Sequence, residues 1–336
     1  MKIASLIIAG QVNSIYRSLI PMEALAGRGH RVHVEERDTV VQPERFLEFD
    51  VVHFWRCYHE PMIRLARRLR EAGVPMVWDN DDDLASIPRD NVGYHRVGGL
   101  RGRRAMTDMA RMMRMADVVT APSAHLAARF RKESGVEVQV LENYLPVRFV
   151  RPAVRPRPGF TVGWLAALEH RADFERLGLK RQFLRLLEAR PQVELVTVGL
   201  KLPLDHPRYH HRSITPYGEL PGVLAQFDLA IAPLCDIPFN RARSNVKLKE
   251  YGAVGVPWLA SPIGPYAGMG EEEGGQLVPD DGWAEAVAAL VDDRDRRRRL
   301  AQRARAWART QTIADHVDRW ELAFQEAVDR AHARVA

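Results

Sequence analysis

Short apolar runs alternate with helical patterns from the first residues onward. Ile3–Ala9, Val32–Glu35, Val51–Trp55, Val74–Trp78, Asp117–Ala121 and Val136–Leu141 read as strands. Between them, Arg17–Arg28, Pro61–Ala72, Met106–Met115 and Ser123–Lys132 space their apolar positions as helices do. Gly29 and Gly73 act as stops and Ser123 as an N-cap. Strands separated by helices of roughly ten to fifteen residues predict a parallel, doubly wound sheet. The alternation then breaks. Pro146–Pro158 holds four prolines and follows neither period, which predicts a stiff interdomain linker. Beyond it, strands are expected at Phe160–Leu165, Val193–Val198, Asp228–Ala232, Pro257–Ala260 and Gln276–Val278. Helices are expected at Asp173–Glu188, Leu220–Phe227, Ser244–Ala253, Trp283–Val291, Arg294–Arg309 and Ile313–Ala331. Two such α/β halves enclose a cleft, and a ligand would sit at the carboxyl ends of both sheets.

Length agrees with this division, since 336 residues suffice for two medium domains, each with its own core. No window approaches the roughly 20 apolar residues of a membrane span. MKIASLIIAG runs straight into Gln11 and Asn13 with no cleavage pattern, so it reads as a buried strand and not a signal peptide. Cys57 and Cys235 are the two cysteines and form no CxxC; neither a disulfide framework nor a zinc site is expected, which fits a cytoplasmic location. Net charge is +6, carried almost wholly by arginine beside six lysines. A basic excess favours anionic ligands. The basic residues are spread out without an aromatic–basic recognition motif, which argues against nucleic acid.

The chemistry concentrates in Ser244–Ser261. The start, RARSNVK, offers a helix N-terminus with small polar residues, Ser244 and Asn245, and nearby cations. Free backbone N–H groups and the helix dipole make such an end a cradle for a diphosphate. Glu250 lies one turn after Lys247 on the same face, where a carboxylate can accept hydrogen bonds from both hydroxyls of a ribose. The plain alternative is a capped surface helix with a Lys–Glu pair.

KLKEYGAVGVPWLASPIGPY resembles the donor-binding segment of retaining GT-B glycosyltransferases, family 4 (group 1) and its relatives. Their Glu-x7-Glu pattern places its second glutamate, the ribose ligand, on Glu250. The first falls on Ala242 and is missing, although that residue usually contacts the sugar. A bacterial branch instead carries PFN-x-x-(K/R)-S-(N/D)-x-K-x-x-E-Y-x-A-x-G-x-P. Pro238, Phe239, Asn240, Arg243, Ser244, Lys247, Glu250, Tyr251, Gly255 and Pro257 match it. Gly163 to Asp173 resembles the branch's G-x6-H-x-x-D through His170. The diphosphate-gripping Arg and Lys of common members fall on Ala167 and Ala172, so Arg171 and Lys247 become the nearest replacements. Gly264 and Tyr266, in the Gly-Pro turn after the next strand, are further donor-side candidates. Asp228 and Pro233 follow another shared core segment.

The resemblance implies two Rossmann-like doubly wound domains facing a cleft. Residues 1–150 would bind the acceptor and 151–311 the nucleotide-sugar donor, with 312–336 crossing back to the first domain. Trp320 and Phe324 make an apolar stripe on that last helix. The implied reaction is hexosyltransferase-type transfer with retention, with no cofactor and no obligatory metal. The acceptor would be a lipid, a polysaccharide or a natural product. Acceptor-side candidates are Gly10 and Asn13 after the first strand, His53, Arg56 and His59 around the third, and Asp81 and Asp82 after the fourth. Asp79–Asp83 can in principle bind a divalent cation, or simply be solvated acids. Arg96–Met115 sets six arginines beside five methionines, a face suited to peripheral contact with an anionic membrane, or to a cleft-covering helix with its methionines in the core. Two other functions stay open at this stage. A GT-B-fold nucleotide-sugar epimerase would form product from donor and water alone. A silent nucleotide-sugar-binding protein would form none.

Overall fold

The computed structural model describes residues 1–8, 14–36, 42–150 and 159–335. The first sheet holds β1 (Lys2–Ile7), β2 (Arg31–Glu36), β3 (Val51–Trp55), β4 (Met76–Asp79), β5 (Val118–Ala121) and β6 (Gln139–Val140). They run parallel in the order β2-β1-β3-β4-β5-β6, with Ile3 opposite Val51 and Val52 opposite Met76. A parallel sheet is covered on both faces, so its central strands are continuous apolar runs. All five positions of β3 are buried.

The second sheet repeats the plan. It comprises β7 (Phe160–Ala166), β8 (Val193–Gly199), β9 (Tyr209–Arg212), β10 (Leu229–Ala232), β11 (Trp258–Ala260) and β12 (Gly275–Leu277). Its order is β12-β11-β10-β7-β8-β9, again parallel. Strand β9 escaped the sequence pattern. It is an edge strand reading Tyr-His-His-Arg, mostly exposed, and has no apolar face to betray it.

The helices follow from spacing. In Glu60–Glu71, Met62, Ile63, Leu65, Ala66 and Leu69 make the buried stripe, and Pro61 stands in the first turn, where its missing N–H has no cost. Ser123 caps Ala124–Ser134 by accepting from the Leu126 N–H at 3.3 Å. The helix expected over Asp173–Glu188 is two, Arg171–Arg176 and Leu179–Ala189, divided at Gly178 with φ 58°. The arginine-rich helix begins earlier than expected, at Gly99. Its Met106, Met109, Met112 and Met113 are buried in the first core, so only its arginine face is exposed and the methionines are not a lipid-facing surface.

The last helix, Val317–Val335, packs on the first sheet, not the second. Its Trp320 and Phe324 meet the His53 ring edge-to-face and share a core cluster with Ile3, Val51 and Val77. His53 therefore faces this helix and not the cleft. Its Nδ1 is 2.9 Å from Ser5 Oγ, and burial lowers its pKa to about 4. The linker expected over Pro146–Pro158 begins with the short turn Val147–Phe149, and 151–158 lie outside the described residues. Leu145 pairs with the returning segment: its N–H donates to Gln311 O at 3.0 Å and its carbonyl accepts from the Ile313 N–H at 2.7 Å. The chain's two passages between the halves thus lie side by side.

Candidate active site

A cavity of about 240 Å³ opens between the halves, at the carboxyl ends of both sheets. The C-terminal half contributes the end of β7 with Ala167, Glu169 and His170, and the start of the helix Val246–Ala253. Ser244, Val246, Lys247 and Glu250 all line it. No side chain caps this helix. The N–H groups of Val246 and Lys247, ahead of the Leu248 N–H that donates to Asn245, have no intrahelical partner, so the end facing the cavity is open to an anion.

Behind this end lies a polar network. His170 Nδ1 is 2.8 Å from Asp173 Oδ2, and Lys247 Nζ is 2.7 Å from His170 Nε2. Asp173 Oδ1 accepts from the Cys235 N–H at 2.9 Å and from Asn240 Nδ2 at 2.7 Å. Arg243 donates to Glu169 at 2.8 Å, and its guanidinium lies 5.4 Å over the Phe239 ring. Asn240, Arg243 and Lys247 of the PFN-x-x-R-S-N-x-K stretch thus converge on one buried cluster.

The electrostatics follow from burial. Desolvation, with Arg243 beside it, lowers Lys247 to about 8. Desolvation and the Lys247 ammonium lower His170 to about 4, so the imidazole is neutral near pH 7. Burial alone would raise Glu169, but Arg243 and His170 more than reverse this and hold it at about 2. Glu250 is 5 % exposed; desolvation lifts its carboxyl to about 7 against the opposing pull of Tyr16 and Lys247.

The Tyr16 hydroxyl, from the N-terminal half, donates to Glu250 Oε1. Asn143 is a second tie across the gap. Its Nδ2 donates to Ser244 Oγ at 3.0 Å, its Oδ1 accepts from Arg17 at 3.0 Å, and its carbonyl accepts from Lys249 Nζ at 3.0 Å. Arg17 is fully buried and paired with Asp79, which also accepts from Thr120.

Asp81 and Asp82 line the cavity from the end of β4. Arg56 lies beneath them, outside the lining, and donates to both, to Asp81 at 2.7 Å. It adopts φ 54°, a left-handed conformation rare for a residue with a side chain, and its contacts with Asn80, Asp81 and Asp82 hold it there. Burial raises Asp81 to about 6, although Arg56 opposes this. Asp83 is engaged separately, by Arg129 and Ser86. Among the described residues no group of three or more His, Cys, Asp or Glu is arranged to hold a metal ion.

Other expected site residues lie elsewhere. Arg171 is exposed and paired with Glu175 at 3.1 Å, pointing away from the cavity; Arg243 is the arginine that reaches it. Asn245 precedes the helix without lining the cavity, and its carbonyl accepts from the Leu248 N–H. Gly264, with φ 52°, has a packing role: a Cβ there would come within 2.7 Å of the Arg241 backbone. Tyr266 does line the cavity. His59 is exposed at the start of Glu60–Glu71, its ring 4.5 Å from Tyr58. Gly10 and Asn13 lie outside the described residues. Ala242 is buried, with its carbonyl accepting from Ser123 Oγ at 2.9 Å and its methyl in the first core. That position serves contact between the halves.

The sequence reading did not assign roles to Tyr16, Asn143, Glu169 or Arg243. Arg243 and Glu169 had a signal, because both sit within the matched motifs. Tyr16 and Asn143 act through residues more than 100 positions away and carry no local mark.

The family model described as glycosyl transferase-like matches residues 173–323. No curated protein sequence matches the chain. Solved structures similar over the whole length include HepE of Anabaena in complex with UDP-glucose, at 15% identity and TM-score 0.70, covering 96% of this chain and 100% of that one. Sucrose-phosphate synthase of Thermosynechococcus elongatus is similar at 15% identity and TM-score 0.70, over 97% and 98% of the two chains. A glycosyltransferase of Rickettsia africae is similar at 12% identity and TM-score 0.70, over 97% and 98%. The class is therefore a GT-B architecture of two Rossmann-like domains. Within it, residues 173–323 are similar to the glycosyl transferase-like family.

Proposed function

We propose that the protein transfers a sugar from a nucleoside-diphosphate donor, held by the C-terminal half, to a hydroxyl acceptor presented by the N-terminal half, with retention of anomeric configuration. One observation carries this reading: an uncapped helix end with Lys247, and Glu250 one turn inward, face the same interdomain cavity. The diphosphate sits on the N–H groups near Ser244 and on Lys247 and Arg243. Glu250 accepts from the ribose hydroxyls and fixes the donor. As the sugar–phosphate bond breaks, negative charge grows on the diphosphate, and these preorganised donors stabilise it. The acceptor attacks from the leaving-group side and its proton passes to the departing phosphate oxygen. Asp81 and Asp82 accept from acceptor hydroxyls.

UDP is the first donor nucleotide to test, since UDP-glucose is bound in the similar HepE structure. The acceptor in this reading is a lipid, a polysaccharide or a natural product. A cytoplasmic site of action is part of the proposal, and the exposed arginines of Gly99–Met115 suit contact with an anionic membrane. Among the described residues no helix is long and apolar enough to cross one.

The test is calorimetric titration with UDP and UDP-sugars. Glu250→Ala and Lys247→Ala are each expected to weaken binding about 100-fold, the scale of a buried charge-assisted contact. Full affinity in both variants removes the assignment. Product formed from donor and water without an acceptor would favour an epimerase.

A further inference from the structure

Three side chains in the C-terminal half form a line from the protein interior to the cavity. Asp173 is buried at 2 % exposure, His170 at 3 %, and Lys247 reaches the lining. The proton arrangement along this line is forced. An ionised carboxylate only accepts and an ammonium only donates. Asp173 is held ionised, its carboxyl shifted below the ordinary range: burial opposes this, but His170 and the Cys235 N–H prevail. The imidazole between them must therefore carry its proton on Nδ1, toward Asp173, and offer the Nε2 lone pair to Lys247. That lone pair fixes one ammonium N–H and orients the rest of the group. Arg243 Nη1, at 3.4 Å from the same nitrogen, closes the other side.

Asp173 is itself anchored. Both oxygens are used, Oδ2 by His170 and Oδ1 by Cys235 N and Asn240 Nδ2. Asn240 also donates to the Cys235 carbonyl at 2.9 Å, which ties it to the turn after β10. The carboxylate cannot swing without breaking bonds to two other segments.

We propose that Asp173 is a positioning residue that acts through His170, setting the imidazole tautomer that aims the Lys247 ammonium at the donor diphosphate. This rests on the donor site proposed above, but the tautomer and the Lys247 titration can be measured without any donor. At Asp173→Asn the new amide turns an N–H toward His170 Nδ1. The imidazole then takes its proton on Nε2, where an N–H confronts the ammonium. Lys247 loses its acceptor and turns away.

The experiment uses the full chain with 15N-labelled histidine and lysine 13C-labelled at its ε-methylene. In the unsubstituted protein, His170 is expected to show the Nδ1–H tautomer near pH 7, and Lys247 to titrate well below an ordinary lysine. In Asp173→Asn, the tautomer is expected to switch, the Lys247 titration to move, and affinity for UDP to fall roughly 10- to 100-fold, the worth of one charge-assisted hydrogen bond. An unchanged tautomer and an unchanged Lys247 titration in the folded variant overturn the proposal. If that variant does not fold, His170→Gln and His170→Leu decide. Glutamine can donate to Asp173 and accept from Lys247 at once, so it is expected to lose less UDP affinity than leucine. Equal loss overturns the proposal. If UDP fails to bind the unsubstituted chain, the donor reading falls while the two spectroscopic measurements still judge the relay.

Discussion

The two walls of the cavity are built in opposite ways. The C-terminal wall is cationic and grows from one continuous stretch, Asn240–Glu250, whose side chains reach Asp173, Glu169 and His170 close behind it. The N-terminal wall is acidic at Asp81 and Asp82 and is assembled from distant pieces. Arg56 braces the acids, and Arg17 ties Asp79 to the Asn143 segment. One wall is a local motif. The other is a consequence of tertiary assembly. A ligand with a polyanionic end and a hydroxyl-bearing partner would be sorted by these two walls.

Breaking the assembled wall tests this contrast most severely. Arg17→Met leaves Asp79 buried without its cation and is expected to lower unfolding stability by about 3–5 kcal/mol, measured by urea denaturation. Little loss would mean that Asn143 is not held through Arg17. Next in size, Asp81→Asn and Asp82→Asn are each expected to reduce kcat/KM for the acceptor roughly tenfold while UDP affinity stays within about twofold. A shared fall in both quantities would show that the walls are not separate in function. Smallest close to neutral pH is the pH response of donor binding to the free protein. Glu250 must be ionised to accept from a ribose, so affinity falls as pH drops below about 7. Lys247 must be protonated, so affinity falls as pH rises above about 8. The expected profile is a narrow bell, losing about tenfold per pH unit on either side. Lys247→Arg, which stays charged, should erase the alkaline limb alone.

The same contrast explains what could be read from the chain. Among the described residues the pattern located eleven of the twelve strands: the eight central ones are largely buried apolar runs, and the edge strands β2, β6 and β12 still carry Val or Leu that marked them. Tyr209–Arg212 stayed hidden because an edge strand needs no apolar face. Glu250, Lys247 and Ser244 were legible because their spacing on one helix is a local property. Arg171 was misplaced by a single structural fact: its side chain leaves the helix Arg171–Arg176 on the solvent side, toward Glu175. Gly264 was recognised as special, but the reason is the Arg241 backbone pressed against it. Tyr16 and Asn143 were silent because their partners are brought near only when the halves meet.

Glu250 already has a tenant. The Tyr16 hydroxyl holds the oxygen that a ribose would claim, and Tyr16 belongs to the helical segment Ile15–Leu19 of the opposite half. On the proposed donor reading, a nucleotide at the C-terminal wall would displace that phenol and remove one tie between the halves, leaving those through Asn143 and Ser123. Vacancy and occupancy then differ in how tightly the halves are stitched together, even before an acceptor arrives.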